Sequence, residues 1–261
     1  MIKITSITCL VFGILFIFAR IFVYSRFNIT SNSMSPLLAK GDKITVFKPI
    51  YGARVINLYD YFFNDTISYY RIPGLCLIKP NDIVVFNYPY KNWNYWDKIE
   101  IQHNKFYVKR CIGLPGDSIG IHNSVYYSTR IKNDLGDKYN QKYMSTNHER
   151  VNLLDTVIPY SKHNPRWTVF KMGPIYIPQK GDTISLNYQT AYIYKNIIEW
   201  ESKNILTINE SCIQVGSHVV DKYVFKNNYY FMAGDNVSES IDSRFWGLIP
   251  EILIVGKVVF M

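Results

Sequence analysis

The chain has 261 residues, 48% hydrophobic and 16% aromatic, with a net charge of +9. That apolar content excludes a mostly disordered protein, and the length allows one large domain or two small ones. No basic run or nucleic-acid motif accompanies the charge, so it suits a mildly basic surface near lipid and no nucleic-acid partner.

The first element is apolar. Ile4 to Ala19 is interrupted only by Thr5, Ser6 and Thr8, and Ile21 to Tyr24 resume after Arg20. Ile4 to Tyr24 is about the ~20 residues that a bilayer-spanning helix needs, and Arg20 can snorkel to the headgroups. Around Phe18-Ala19-Arg20 there is no small-x-small cleavage signal, so residues 1–26 read as an uncleaved membrane anchor. A buried helix of a soluble domain is the alternative. The flanking charges conflict, because Lys3 argues for the N-terminus inside and Arg20 and Arg26 for the reverse. Beyond residue 26 there remain 26 basic and 20 acidic residues, or +6.

Next comes Ser31-Asn32-Ser33-Met34-Ser35-Pro36. In an extended segment residues i and i+2 point the same way, so Ser31 and Ser33 could address one site. Pro36 keeps a helix from running back through them. Taken alone, the segment reads as a Ser-rich linker.

The turn Gly41-Asp42-Lys43 leads into a strand at Ile44–Phe47. Residues 49–79 are aromatic and irregular. Strands follow at Asp82–Phe86 and Lys105–Ile112, the second ending in the tight turn Gly113-Leu114-Pro115-Gly116-Asp117. Residues 123–180 are polar and weakly periodic and read as an insertion. Further strands are expected at Thr183–Leu186, Ile205–Ile208, Val219–Phe225, Tyr229–Met232 and Ile252–Phe260, with a helix at Tyr192–Lys203. Short strands between turn residues argue for an all-β globule.

A catalytic serine needs a base. None of the five histidines (His103, His122, His148, His163, His218) sits in a local catalytic or metal motif. The cysteines Cys9, Cys76, Cys111 and Cys212 form no Cys-x-x-Cys pair. Lysine can serve only if burial lowers its pKa from ~10.4 by several units. Lys109 lies among Phe106, Tyr107, Val108, Cys111 and Ile112. On pattern alone it reads as a strand lysine facing solvent. Gly234 to Gly247 is dense in short polar side chains directly after an apolar strand, and such a loop can build a hydrogen-bonded cradle.

Together these stretches resemble the type I signal peptidases, membrane-anchored Ser/Lys proteases. The family's Ser-Gly-Ser-Met-x-Pro stands here as Ser31 to Pro36, and its Gly-Asp-Ile-Val-Val-Phe as Asn81 to Phe86. Tyr-x-Lys-Arg-x-x-Gly-x-Pro-Gly-Asp is Tyr107 to Asp117, and the final box is Gly234 to Gly247. The insertion and Tyr51-Gly52-Ala53-Arg54 look most like the Bacteroidetes-type enzymes. Asn32 replaces a Gly, which requires a negative φ or the left-handed region that Asn tolerates. Val237 replaces an Arg.

The resemblance implies a mainly β, antiparallel protease fold with an inserted β-rich cap and one N-terminal transmembrane helix. Residues 27–122 and 226–261 would form the catalytic core and 123–225 the cap. Ser33 would be the nucleophile, Lys109 the base, and Ser31 with the Ser33 N–H the oxyanion hole. Ser240 would orient the lysine, and Asp242 and Arg244 would brace the cradle. Ile29, Met34, Leu38, Tyr107 and Val108 would line pockets for small residues of the signal peptides of exported preproteins. Neither metal nor cofactor is implied. The domain would lie outside the cytoplasmic membrane, in contact with the bilayer. An inactive membrane-anchored binding protein of the same fold is one alternative. A soluble self-cleaving Ser/Lys repressor is another, but the anchor and the lack of a DNA-binding module oppose it.

Overall fold

A computed structural model describes residues 2–57, 69–91, 96–147, 167–209 and 211–260. Helix α1 covers Ile2–Phe18, and one π-helical turn, Ala19–Val23, continues it. Lys48 Nζ donates to the carbonyls of Arg20 and Ile21, 2.8 Å each, filling acceptors left open at that helix end. At 1.5 Å per residue α1 is about 26 Å long, less than the ~30 Å hydrocarbon layer. Among the described residues no helix is long and apolar enough to cross a membrane. The expected span through Tyr24 is therefore corrected. Tyr24 is extended and opens strand β1, Tyr24–Asn28, because its backbone has a partner in the sheet.

The strands that follow are β2 (Lys43–Phe47), β3 (Arg54–Ile56), β4 (Tyr69–Arg71), β5 (Ile83–Asn87), β6 (Phe106–Gly113), β7 (Ser118–His122), β8 (Val125–Ser128) and β9 (Lys171–Tyr176). After them come β10 (Thr183–Ser185), β11 (Leu206–Ile208), β12 (Ile213–Val215), β13 (His218–Val219), β14 (Lys222–Val224), β15 (Tyr229–Ala233), β16 (Ile249–Pro250) and β17 (Ile254–Phe260). Further helices among the described residues are α2 (Lys138–Thr146), α3 (Tyr188–Ser202) and α4 (Ser243–Trp246). The fold is mainly β and antiparallel.

The site rests on a seven-stranded sheet in the order β1-β2-β17-β5-β6-β15-β16. Its central strands alternate between two cores. Val84 and Phe86 join the larger apolar cluster, while Ile83 and Val85 join a smaller one with Met34, Leu38 and Val46. Residues opposite each other share a face. Lys109 lies opposite Val84, and Val108 opposite Val85. Lys109 is thus on a core face and is 1% exposed, which corrects the solvent-facing reading. No side-chain periodicity marks this, because β6 is covered on both faces.

Several expected boundaries shift. Within the irregular 49–79, β3 and β4 pair as a hairpin, and Arg71 donates to the carbonyls of Tyr51, Gly52, Glu251 and Ile254; residues 58–68 lie outside the described residues. The single strand expected at Val219–Phe225 is two. Val219 pairs with β12, whereas Lys222–Val224 pair with β10. The stretch 123–180 holds β8, β9 and α2; its residues 148–166 lie outside the described ones. Asp137 caps α2 by accepting from the Asn140 N–H at 2.7 Å. Helix α3 begins four residues before the expected Tyr192, at an Asn187–Thr190 capping box.

Candidate active site

The segment from Ser31 to Pro36 is a turn and neither extended nor a plain linker. The Ser35 N–H donates to Asn32 O at 3.0 Å and the Leu38 N–H to Met34 O at 2.9 Å. The turn brings the two hydroxyls together anyway, with Ser31 Oγ and Ser33 Oγ 3.3 Å apart. Met34 and Leu38 anchor it in the smaller core. Asn32 keeps a negative φ, and its side-chain oxygen accepts from the Lys40 N–H at 3.1 Å. A side chain at this position is therefore accommodated and used.

Lys109 Nζ donates to Ser33 Oγ at 2.5 Å. Burial lowers the Lys109 pKa from 10.5 to about 8; Asp242 and Asp235 oppose that shift and Arg244 adds to it. Among the described residues, the side-chain oxygen of Ser33 is bonded to Lys109 and Ser31 alone, and its N–H has no acceptor.

The Gly234–Gly247 loop closes over the pair. The Asn236 N–H donates to Ser33 O at 3.1 Å. Gly234 passes so close that an added Cβ would lie 2.2 Å from Ser240 Oγ and 2.3 Å from Ser33 O. Ser240 Oγ is fully buried and has no hydrogen-bond partner among the described residues, so the expected bond to Lys109 is not formed. Beneath the loop Arg244 forks onto Asp242, Nε to Oδ1 at 2.8 Å and a terminal nitrogen to Oδ2 at 2.9 Å. That same nitrogen donates to Val237 O and Ser240 O. Both side chains are fully buried. Burial works against the Asp242 charge, but Arg244, Lys109 and the Gly234 N–H together hold its carboxyl below the usual range. Val237 packs in the apolar core.

A cleft of about 290 Å³ opens beside Ser33. Ile29, Met34, Tyr107 and Val108 of the five expected pocket residues border it, together with Ser31, Asn28, Thr30, Lys105 and Phe106. Leu38 does not line it; fully buried, it supports Met34 from below. Along β6, residues 106–109 have a ladder partner on the β5 side only, because β15 pairs from Arg110 onward. An open strand edge therefore borders the cleft. Sequence reasoning missed Arg110 and Asp235, which form a two-point ion pair at 2.7 and 2.6 Å beside Lys109. Their adjacency to Lys109 and Gly234 was the available signal. Among the described residues no cluster could hold a metal ion.

All of the chain, residues 1–261, matches the family described as Signal peptidase, peptidase S26. The chain belongs to that family. The signal peptidase I of Buchnera aphidicola from Schizaphis graminum is 32% identical over 254 residues, covering 94% of this chain and 70% of that protein. The one from the Baizongia pistaciae strain is 30% identical, covering 93% and 70%. A solved signal peptidase I from Enterococcus faecalis V583 is 18% identical with a TM-score of 0.31, covering 71% of this chain and 100% of that one. In this signal peptidase family member, the close approach of Gly234 has a direct consequence. Gly234→Ala should push Ser33 and Ser240 apart, lower stability by about 1–3 kcal/mol and cut peptide cleavage by about 10²-fold. Urea unfolding and a peptide assay check both.

Proposed function

We propose that this chain is a type I signal peptidase, a serine endopeptidase that removes signal peptides from exported preproteins with Ser33 and Lys109. The observation that carries the reading is the buried Lys109 amine 2.5 Å from a half-buried serine, in a chain matched by the family from end to end. The complete reacting set disfavours an inactive binding protein.

In the acylation step neutral Lys109 Nζ accepts the Ser33 proton as Oγ attacks the scissile carbonyl. The developing oxyanion is held by the Ser33 N–H and the Ser31 hydroxyl. The resulting ammonium protonates the leaving amine, and Lys109, neutral again, activates the water that cleaves the ester. With a pKa of about 8, roughly one molecule in ten holds the neutral amine at pH 7. A peptide covering the cleft excludes water and lowers the pKa further. Ser240, buried and without a hydrogen-bond partner among the described residues, orients the ammonium by accepting a hydrogen bond from it in the reacting complex. Asp242 and Arg244 brace the loop that carries it.

The substrate lies extended along the open edge of β6. Alternate side chains, −1 and −3 from the cleaved bond, then face the shallow cleft around Ile29, Met34, Tyr107 and Val108. Its small volume accounts for a small-x-small preference. Residues 27–122 and 226–261 act as the catalytic core and 123–225 as an inserted cap. The seven-stranded sheet draws on the core segments, with β1 starting slightly earlier at Tyr24. Residues 2–23 anchor the enzyme in the bacterial cytoplasmic membrane, with the domain on the outer side. Leu10, Phe12, Phe16 and other apolar side chains of α1 are exposed and suit lipid.

Ser33→Ala should abolish cleavage and leave the fold intact. Ser31→Ala should retain activity reduced by about 10²–10³-fold, since one donor remains. Lys109→Arg should be inactive, because guanidinium does not give up its proton. Turnover of an Ala-x-Ala peptide in detergent tests all three; substantial activity of Ser33→Ala or Lys109→Arg contradicts the assignment.

The lowered pKa also affects stability. Below pH 8 the amine is charged in both folded and unfolded chains, and burying the charge costs about 3 kcal/mol for a shift from 10.5 to about 8. Between pH 8 and 10.5 the unfolded chain binds the extra proton, so raising the pH removes the cost. Lys109→Met should therefore be more stable than wild type at pH 7, with the difference shrinking toward pH 10.5, as measured by urea unfolding.

The anchor is tested on the full chain. Bound to vesicles, it should stay in the pellet through a 1 M salt wash, where electrostatic attachment is screened to about 3 Å. Release by salt contradicts an inserted anchor.

A further inference from the structure

A second network reaches the site from the inserted segment. Asn81 has a φ of 66° in the left-handed region. Its side chain grips a neighbouring loop at both ends: Nδ2 donates to Asp134 O and Oδ1 accepts from the Gly136 N–H, each at 2.8 Å. That loop runs into Asp137, the cap of α2. One turn into α2, Asn140 Nδ2 donates to Asp235 O at 2.9 Å and to Ser35 O at 3.2 Å. Asn140 therefore ties the nucleophile's turn to the loop closing over it.

These bonds complete a ring. Ser33 O accepts from Asn236, Asp235 is forked by Arg110, and Arg110 is the strand neighbour of Lys109, which reaches back to Ser33. Arg110 also donates to Asn81 O at 3.1 Å and holds the Asp235 carboxylate, so both ends of the strut lead to this one side chain of β6. The remaining side chain of note, Gln141, is fully buried and holds Leu135 O and the Tyr126 N–H, making the 134–141 segment a stiff unit.

We propose that Asn81, the 134–137 loop and Asn140 form a strut by which the inserted segment sets the Ser33–Lys109 distance. Asn81 and Asn140 are positioning residues; neither touches the reacting atoms. The proposal rests on the Ser33/Lys109 reading. Because the strut contacts none of the residues lining the cleft, its loss lowers kcat and leaves KM unchanged. A residue serving stability alone would lower the melting temperature without that split.

The variants Asn81→Gly and Asn140→Ala suit the test. Glycine adopts the left-handed region freely, so Asn81→Gly removes the grip without strain. Alanine is the best helix former, so Asn140→Ala costs α2 little. In the full chain in detergent, each is expected to lower kcat about tenfold with KM unchanged. The double variant should be no worse than the poorer single one, because both break the same chain of contacts. Amide exchange at residues 33–38 and 234–237 should rise about tenfold in each, with the rest of the core protected. Unchanged exchange in both segments, kcat within about twofold of wild type in both variants, or additive losses in the double variant would overturn the strut. A wild type that fails to cleave an Ala-x-Ala peptide would instead refute the dyad, and the exchange measurement would then decide the strut by itself.

Discussion

The structure depends on keeping one amine out of water. Lys109 is useful as a base only if its ammonium is disfavoured, and burial on the core face of β6 does that. The cost falls on stability, because the charged form must be desolvated below its pKa. A buried lysine needs its surroundings fixed, or it would swing out to solvent. The surroundings here are fixed by two backbone contacts, Gly234 against Ser33 O and Asn236 on the same carbonyl, and by the ion pair of Arg110 with Asp235.

The Asp242–Arg244 pair belongs to the same logic. A fully buried ion pair is a weak source of net stability, since desolvation offsets the attraction. Its value is geometric. Arg244 spends its donors on Asp242 and on the carbonyls of Val237 and Ser240, so it sets the path of the loop that places Ser240. The Asp242 carboxylate also sits close enough to Lys109 to hold the pKa up against burial. The amine is thus tuned by two opposed effects, and desolvation is the larger.

Much of this was legible in the sequence, for physical reasons that differ by element. The central strands were found because their residues are apolar on both faces, as at Ile83–Phe86. Ser33, Lys109 and the Gly234–Gly247 loop were found by their motifs, not by periodicity, which pointed Lys109 to solvent. The conformation of Ser31–Pro36 was not legible, since two serines at i and i+2 meet in a turn as well as in an extended segment. The apolar run reads on through Tyr24 because Ile21, Phe22 and Val23 precede it without a break, and only the pairing of Tyr24 with Phe47 makes it a strand. Leu38 was placed in the cleft, though it is core. Asn81 carried only its place at the Gly of a family box and Asn140 no signal, because a single polar side chain reveals its partners only when distant segments meet. The Bacteroidetes-type likeness rests on the sequence features alone.

The central claim is that Lys109 titrates far below an ordinary lysine because it is buried against Ser33. Lysine labelled with ¹³C at Cε and assigned through Lys109→Met allows that titration to be followed by NMR in the detergent-solubilised enzyme. The account predicts a midpoint near pH 8 for Lys109. A Lys109 midpoint at or above 10 would contradict it.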